Sequence, residues 1–406
     1  MCSFLHLLRV LFGDNGSLCF SVRQLLLSHF FVFVGEDMRN TALSEAKTAK
    51  NDEFYTQYDY IQREINAYLE YNPHVFRNKT ILLPCDDPEW SNFTRFFAQN
   101  FEAFGLKKLI STSFAHESKN FKGEYQRSLF EEDSPEYDET KTLTHGKIFT
   151  LTRNSKKHPI DLDDLQWHYL DGDGDFRSDE VKALRDEADM IVTNPPFSLF
   201  REFVAWIFEA DKKAIIIGNQ NAITYKEVFP LIKENKLWLG ATCNSEDMVF
   251  GVPKGAVVAP KDKEKAAKLG YVGDYTRLGN SCWFSNIDHG RRHRPLSLMT
   301  MEDNIKFSKH KVIQGSGYSH YDNYDAIEVP FTDSIPSDYD GVMGVPISFL
   351  DKYCPEQFEI VGRADANIAG EYNPCYISGL KDKGGAPMVQ GAFVYKRILI
   401  RKRKEI

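Results

Sequence analysis

The run Asp189-Met190-Ile191-Val192-Thr193-Asn194-Pro195-Pro196-Phe197-Ser198 constrains this chain more than any other. Met190 to Thr193 spell a buried strand, and two consecutive prolines end it. Each proline fixes its own φ, lacks an N–H and disfavours helix in the residue before it. The strand must therefore hand over to a stiff loop, rich in acceptors and poor in donors, at the edge of a sheet. Such a tip suits one kind of chemistry. An exocyclic amino group on a planar base is a weak nucleophile, because its lone pair is delocalised into the ring. Two fixed acceptors that take both hydrogens favour a tetrahedral nitrogen and stabilise the transition state for attack. The Asn194 amide oxygen and the Pro195 carbonyl form the available pair, Pro196 stiffens the tip, and Phe197 offers a ring for stacking. The bland alternative is a Pro-rich turn after a strand.

Around this stretch, strand and helix alternate. Thr80 to Pro84, Lys107 to Thr112 and Ala214 to Gly218 are short apolar strands, and Ser198 to Phe208 has helical character. That order predicts a parallel sheet with helices on both faces, with any ligand beyond the carboxyl ends of the strands. Leu237 to Gly240, Met248 to Phe250 and Cys282 to Ser285 are expected to close the sheet. The loop after the first strand, Cys85-Asp86-Asp87-Pro88, lacks the glycines a pyrophosphate needs and carries carboxylates, which suit a cationic ligand. Asp86 and Asp87 also fit a helix N-cap, and one can cap while the other binds. The second strand ends in Ser111-Thr112-Ser113 with no acidic residue.

Asn51 to Leu69 reads as a helix with an aromatic stripe, Phe54, Tyr55, Tyr58, Tyr60 and Tyr68, which by spacing alone is core. Asp171-Gly172-Asp173-Gly174-Asp175-Phe176 imitates a calcium loop. It fails at the sixth position, Phe176 instead of Gly, and at the twelfth, Lys182 instead of Glu. A solvated acidic turn is the plain alternative. Ser178 is placed to cap the helix that follows.

With 406 residues, 42% of them hydrophobic and 27% charged, the chain reads as an ordinary soluble protein of one or two domains. Seven scattered cysteines without a C-x-x-C pair argue for a reduced, cytoplasmic setting and against a zinc site. The net charge of −8 requires that any phosphate-binding cations be segregated onto one face. The densest cluster, His289 to Arg294, makes Arg291, Arg292 and Arg294 candidates for phosphate contact. Lys119 to Lys141 reads as an acidic surface insertion, and the tail Lys396 to Lys404 as a basic edge strand that binds phosphate or only solubilises the end. The apolar run Leu25 to Val34 is too short to span a bilayer. Met38 is the expected functional start, and residues 1–37 a weakly ordered upstream extension.

Asn194-Pro195-Pro196-Phe197 resembles the catalytic motif of amino-methyltransferases that use S-adenosylmethionine, chiefly those acting on adenine N6. With Asp52 to Tyr58, Cys85 to Pro88, Gly105 to Ile110, Gly279 to Phe284 and Met343 to Tyr353, it resembles the EcoRI-type adenine-specific DNA methyltransferase family, from about Met38 to the C-terminus. The resemblance implies an α/β fold, a Rossmann-like methyltransferase sheet in residues 38–295 with a smaller target-recognition module in 296–406. It implies that Phe54, Tyr55, Thr56 and Gln57 cover the methionine end of S-adenosylmethionine and that Cys85, Asp86 and Asp87 form its loop. Asp175 would take the N6 hydrogens of the cofactor adenine, with Phe176 against its ring. The substrate would be an adenine flipped out of double-stranded DNA, methylated in line without a metal or covalent enzyme intermediate. A monomer, no membrane and a cognate restriction endonuclease acting on the same site complete the expectation.

An RNA adenine or protein amide methyltransferase remains open, though the long C-terminal module argues against a protein substrate. A cytosine N4 enzyme is disfavoured because the loop begins with Asn, not Ser. A catalytically inactive nucleic-acid-binding relative is disfavoured by retention of Asn194, Asp175 and the Phe-Tyr-Thr segment together.

Overall fold

The computed structural model describes residues 54–88, 91–119, 131, 134–153, 164–242, 247–366, 368, 373–377, 379 and 382–404. The upstream extension and most of the acidic insertion lie outside the described residues. The first described element is a strand, β1 (Tyr55–Thr56), and only then does helix α1 (Tyr58–Tyr71) begin. The helix expected from Asn51 is thus displaced. Phe54 to Thr56 are extended because Tyr55 and Thr56 pair with a distant strand. Tyr60 and Tyr68 are buried, as their spacing requires.

The strands β2 (Thr80–Leu83) and β3 (Lys108–Ser113) are joined through α2 (Asn92–Gln99) and the short α3 (Phe101–Phe104). Then come β4 (Lys147–Thr152), β5 (Gln166–Tyr169), α4 (Asp179–Glu187), the motif strand β6 (Met190–Thr193), α5 (Phe200–Glu209), β7 (Lys213–Asn219), α6 (Phe229–Lys233) and β8 (Trp238–Leu239). Ser178 caps α4, its hydroxyl accepting from the Val181 N–H.

The large sheet has the order β5-β4-β3-β2-β6-β7-β11-β8, where β11 is Ser281–Ser285. Its centre, β3-β2-β6-β7, is parallel, whereas β4, β5 and β11 join by antiparallel pairing. The sheet is therefore mixed where the alternation predicted parallel. Every residue of β2 and β6 is buried, because both faces are covered. Ile81, Leu83, Val192 and Ile217 point into a cluster with α1 and α2, whereas Leu82, Ile191 and Ile216 point into another with α4 and α5.

Two of the expected closing strands, β8 and β11, take that place, but β9 (Met248–Gly251) does not. It forms a separate three-stranded sheet with β1 and β10 (Tyr275–Leu278), and α7 (Pro260–Lys268) lies between β9 and β10. Pairing with β1 outweighs pairing at the edge of the large sheet.

Beyond α8 (Met301–Phe307) a second sheet has the order β12-β13-β17-β14, from β12 (Ile327–Glu328), β13 (Met343–Pro346), β14 (Phe358–Ala364) and β17 (Arg397–Lys402). A small hairpin, β15 (Met388–Val389) with β16 (Ala392–Phe393), precedes the last strand. The basic tail is thus no edge strand: β17 pairs on both sides, and Ile398, Leu399 and Ile400 are fully buried. Val345, Ile398 and Ile400 belong to the same core cluster as Leu82 and Ile191, so the two sheets share hydrophobic contact. No helix among the described residues is long and apolar enough to cross a membrane.

Candidate active site

The carboxyl ends of β2, β3, β6 and β7 lie along one edge of the large sheet, and the predicted motifs converge there. Thr193 Oγ1 donates to the Pro84 carbonyl at 2.6 Å, tying the end of β6 to the end of β2. The next residue, Asn194, donates from Nδ2 to the Phe54 carbonyl at 2.7 Å. A carbonyl only accepts, so this bond fixes which end of the amide is nitrogen. Asn194 Oδ1 faces the other way, buried and without a hydrogen-bond partner among the described residues. Pro195 is buried, and Pro196 and Phe197 are half-buried. The Phe197 ring lies 5.6 Å from that of Phe54 and meets Phe250 edge-on at 6.3 Å.

The Phe54–Gln57 segment bridges two loops that sequence separates widely. Phe54 holds the tip of β6, and the Thr56 carbonyl accepts from Asn92 Nδ2 at 2.7 Å, at the start of α2. Tyr55 and Gln57 are half-buried, and Gln57 Nε2 donates to the Tyr55 carbonyl. Thr56 Oγ1 is buried and has no hydrogen-bond partner among the described residues, and the same holds for Thr112 Oγ1 at the end of β3. A buried polar atom without a partner costs roughly 1–3 kcal/mol. Three such atoms, Asn194 Oδ1 among them, stand at this edge; others are scattered through the described residues.

Cys85 turns the loop after β2 with a left-handed φ of 62°. Asp86 behind it is buried, and its N–H donates to the Thr112 carbonyl at 2.8 Å. Its carboxylate accepts from the Ser91 hydroxyl and from Thr94 N and Oγ1, at 3.0 and 2.5 Å for the last two. Of the two roles open to the aspartates, Asp86 takes the cap, serving the first turn of α2 together with Ser91. Burial pushes its pKa up to about 6 despite those hydrogen bonds. Asp87 stays half-buried at the loop mouth.

The loop before α4 docks on the end of β3: Ala115 N donates to the Asp173 carbonyl at 2.8 Å. Gly174 has a φ of 84°, and a Cβ there would overlap the Ser113 carbonyl. Asp175 is half-buried and gripped by Arg177, whose Nε and Nη2 donate at 2.9 and 2.6 Å. That contact holds its carboxyl below the usual range. The Phe176 ring is 2% exposed, makes T-shaped contacts with Phe203 and Trp206 at 5.0 and 5.7 Å, and has the Arg177 guanidinium over it at 5.6 Å.

The arginine cluster lies elsewhere. β11 runs antiparallel to β7, so the segment after it emerges at the opposite edge from Asn194. There Arg292 lines a cavity of about 760 Å³ with Lys79, Asp189 and Lys213, which stand at the amino ends of β2, β6 and β7. Arg292 is 6% exposed, stacks 3.8 Å over Trp238 and pairs with Asp288. Arg291 is bound to Asp351 and donates to the Ala241 carbonyl at 2.8 Å. Arg294 is exposed. Density of charge was visible in the sequence, but not the edge it would reach.

Sequence reasoning missed Asn92, Thr112 and Phe250. Thr112 was within reach as the polar end of a buried strand, whereas Asn92 and Phe250 join the site only through tertiary pairing with β1.

Residues 42–403 match the family model described as adenine-specific methyltransferase EcoRI. The chain is 40% identical over 323 residues to the Type II methyltransferase M.EcoRI of Escherichia coli, covering 79% of this chain and 89% of that protein. It is 31% identical over 367 residues to the Type II methyltransferase M.MpnI of Mycoplasma pneumoniae, covering 89% and 98%. It is 32% identical over 369 residues to the Type II methyltransferase M.MgeORF184P of Mycoplasma genitalium, again covering 89% and 98%. No solved structure is a significant match. By the extent of these matches, the chain belongs to the EcoRI family of adenine-specific methyltransferases.

Proposed function

We propose that this DNA methyltransferase transfers the methyl group of S-adenosylmethionine to N6 of an adenine turned out of duplex DNA. The observation that carries the reading is Asn194 Oδ1, a buried acceptor aimed by the Phe54 carbonyl and without a partner among the described residues. Asn194 Oδ1 and the Pro195 carbonyl accept the two N6 hydrogens and draw the nitrogen lone pair out of the ring, which raises its nucleophilicity only as the transition state forms. Phe197, braced by Phe54 and Phe250, supports the extruded base. When bound, S-adenosylmethionine supplies an electrophilic methyl carbon on a cationic sulfur.

The donor set at the edge fits that group. Asp87 and Asp175 offer carboxylates to a cationic amino acid end and an exocyclic amine, and Asp175 keeps lone pairs beyond those used by Arg177. Thr56 Oγ1 and Thr112 Oγ1 are buried hydroxyls in need of partners, and Thr112 stands at the strand end where a ribose hydroxyl contact is wanted. Tyr55, Gln57 and Cys85 line the approach, while Asp86 shapes the loop from behind. Residues 296–406, built on the second sheet, are proposed as the module that reads the target sequence, with a cognate restriction endonuclease as partner at the same site and the enzyme acting as a monomer.

The test is transfer of labelled methyl from S-adenosylmethionine to duplex DNA and to RNA in parallel, followed by mapping of modified bases. N6-methyladenine in DNA alone is expected. Label in RNA or in protein alone would overturn the reading.

A further inference from the structure

The segment joining β9 to β10, residues 252–274, stands out from the fold beside the catalytic tip. Gly251 of β9 pairs with Tyr55 on one side and Tyr275 on the other, so the segment leaves and rejoins the small three-stranded sheet level with Tyr55, with β9 between β1 and β10. Tyr55 follows Phe54, whose carbonyl holds Asn194. Within the segment only Val252 and Ala266 are buried. It carries Lys254, Lys261, Lys263, Lys265 and Lys268 against Asp262, Glu264 and Asp274, in a chain whose overall charge is negative. Lys254, Lys261 and Lys263 are exposed, and among the five only Lys268 has an ion pair described, to Glu264 at 2.6 Å. Val257 and Val272 are 77% and 80% exposed.

We propose that this outcrop grips the phosphate backbone of duplex DNA beside the target base, with its lysines on the phosphates and its exposed valines against the groove. The inference rests on the function proposed above and specifies the DNA surface of that same site. A segment that buries almost none of its apolar side chains adds little to the core, and exposed apolar groups that share a segment with exposed cations suit a surface covered on binding. The competing cationic cluster stands at the far edge of the sheet, with Arg291 and Arg292 engaged internally. Cations at the near edge act where the duplex must lie for its base to reach Asn194.

The experiment measures affinity of the full chain for a fluorescent duplex oligonucleotide of mixed sequence, across a salt series. Wild type is compared with the combined variant Lys254→Gln, Lys261→Gln, Lys263→Gln, Lys265→Gln and with Arg294→Gln. The combined variant is expected to lose about tenfold or more in affinity near 0.1 M salt, and about two to four units of the slope of log K against log salt. Its S-adenosylmethionine affinity by calorimetry and its melting temperature should match wild type. A combined variant with wild-type affinity and slope would overturn the inference, as would loss of slope in Arg294→Gln instead. If wild type neither binds nor methylates duplex DNA, the proposed function falls as well, so the two failures are distinct.

Discussion

Asn194 and Phe54, 140 residues apart in sequence, are joined by one hydrogen bond of 2.7 Å between a side-chain amide and a main-chain carbonyl. The bond leaves the amide only one orientation, with its oxygen directed away from Phe54. Asn194→Ala removes the acceptor together with the bond to the Phe54 carbonyl, while leaving β6 and both prolines in place. Turnover on duplex DNA is expected to fall by roughly 10²–10³-fold, the scale for losing one preorganised transition-state contact. Calorimetric affinity for S-adenosylmethionine should stay within about twofold of wild type by the same reasoning. Near wild-type turnover would remove Asn194 from the chemistry.

Arg292 should behave as a structural residue. It is buried against Trp238 and bonded to Asn235, so Arg292→Ala opens a gap over the indole, while Asp288, itself exposed, keeps His293 as a partner. A loss of about 2 kcal/mol is expected in urea unfolding from the lost packing. The salt dependence of DNA binding by the remaining folded protein should not change. A changed slope would return the arginine cluster to the DNA surface.

Gly240 is enclosed by Glu64 and Trp283, and a Cβ added there would overlap both. Glu64 is itself fully buried and accepts from the N–H groups of Ala241 and Thr242, each at 2.7 Å. Gly240→Ala must push the carboxylate off those donors or move the strand. A destabilisation of about 2 kcal/mol is expected by chemical unfolding, and an unchanged midpoint would show that the loop relaxes freely.

His289 gives a pH dependence with a definite sign. Its ring is buried, and Nε2 stands 3.1 Å from the Leu239 carbonyl. Burial depresses its pKa to about 4. The neutral ring is the one the fold accepts, so its contribution is complete above the ordinary pKa near 6.5 and is lost as pH falls towards 4. The full loss is about 3 kcal/mol. Urea midpoints from pH 7 to 4.5 should fall more steeply for wild type than for His289→Gln. Parallel slopes would contradict the burial of a neutral ring.

Local chemistry made the proline-locked tip legible. Prolines act on their own residue and its neighbour, and the apolar run before them is long enough to specify a strand. The cap by Ser178 was legible for the same reason. What failed depended on distant pairing. Phe54 to Thr56 look helical beside α1, yet extend because β9 is available to pair with them. Phe176 sits in a motif that invites a ligand ring, and its packing against Phe203 and Trp206 of another helix could not be read from that motif. Asp86 and Asp87 were interchangeable in sequence. The turn at Cys85 directs Asp86 under α2 and leaves Asp87 half-buried.

The position of β17 has a consequence for how the protein is made. Its two neighbours, β13 and β14, cannot hydrogen-bond to each other, since the last strand stands between them. While the ribosome still holds residues 397–402, both neighbours present bare edges, and the apolar surface awaiting Ile398 and Ile400 stays open. Assembly of this half of the molecule is therefore held back until synthesis has passed Lys402, and a nascent chain stalled before that point is one that chaperones would have to shield.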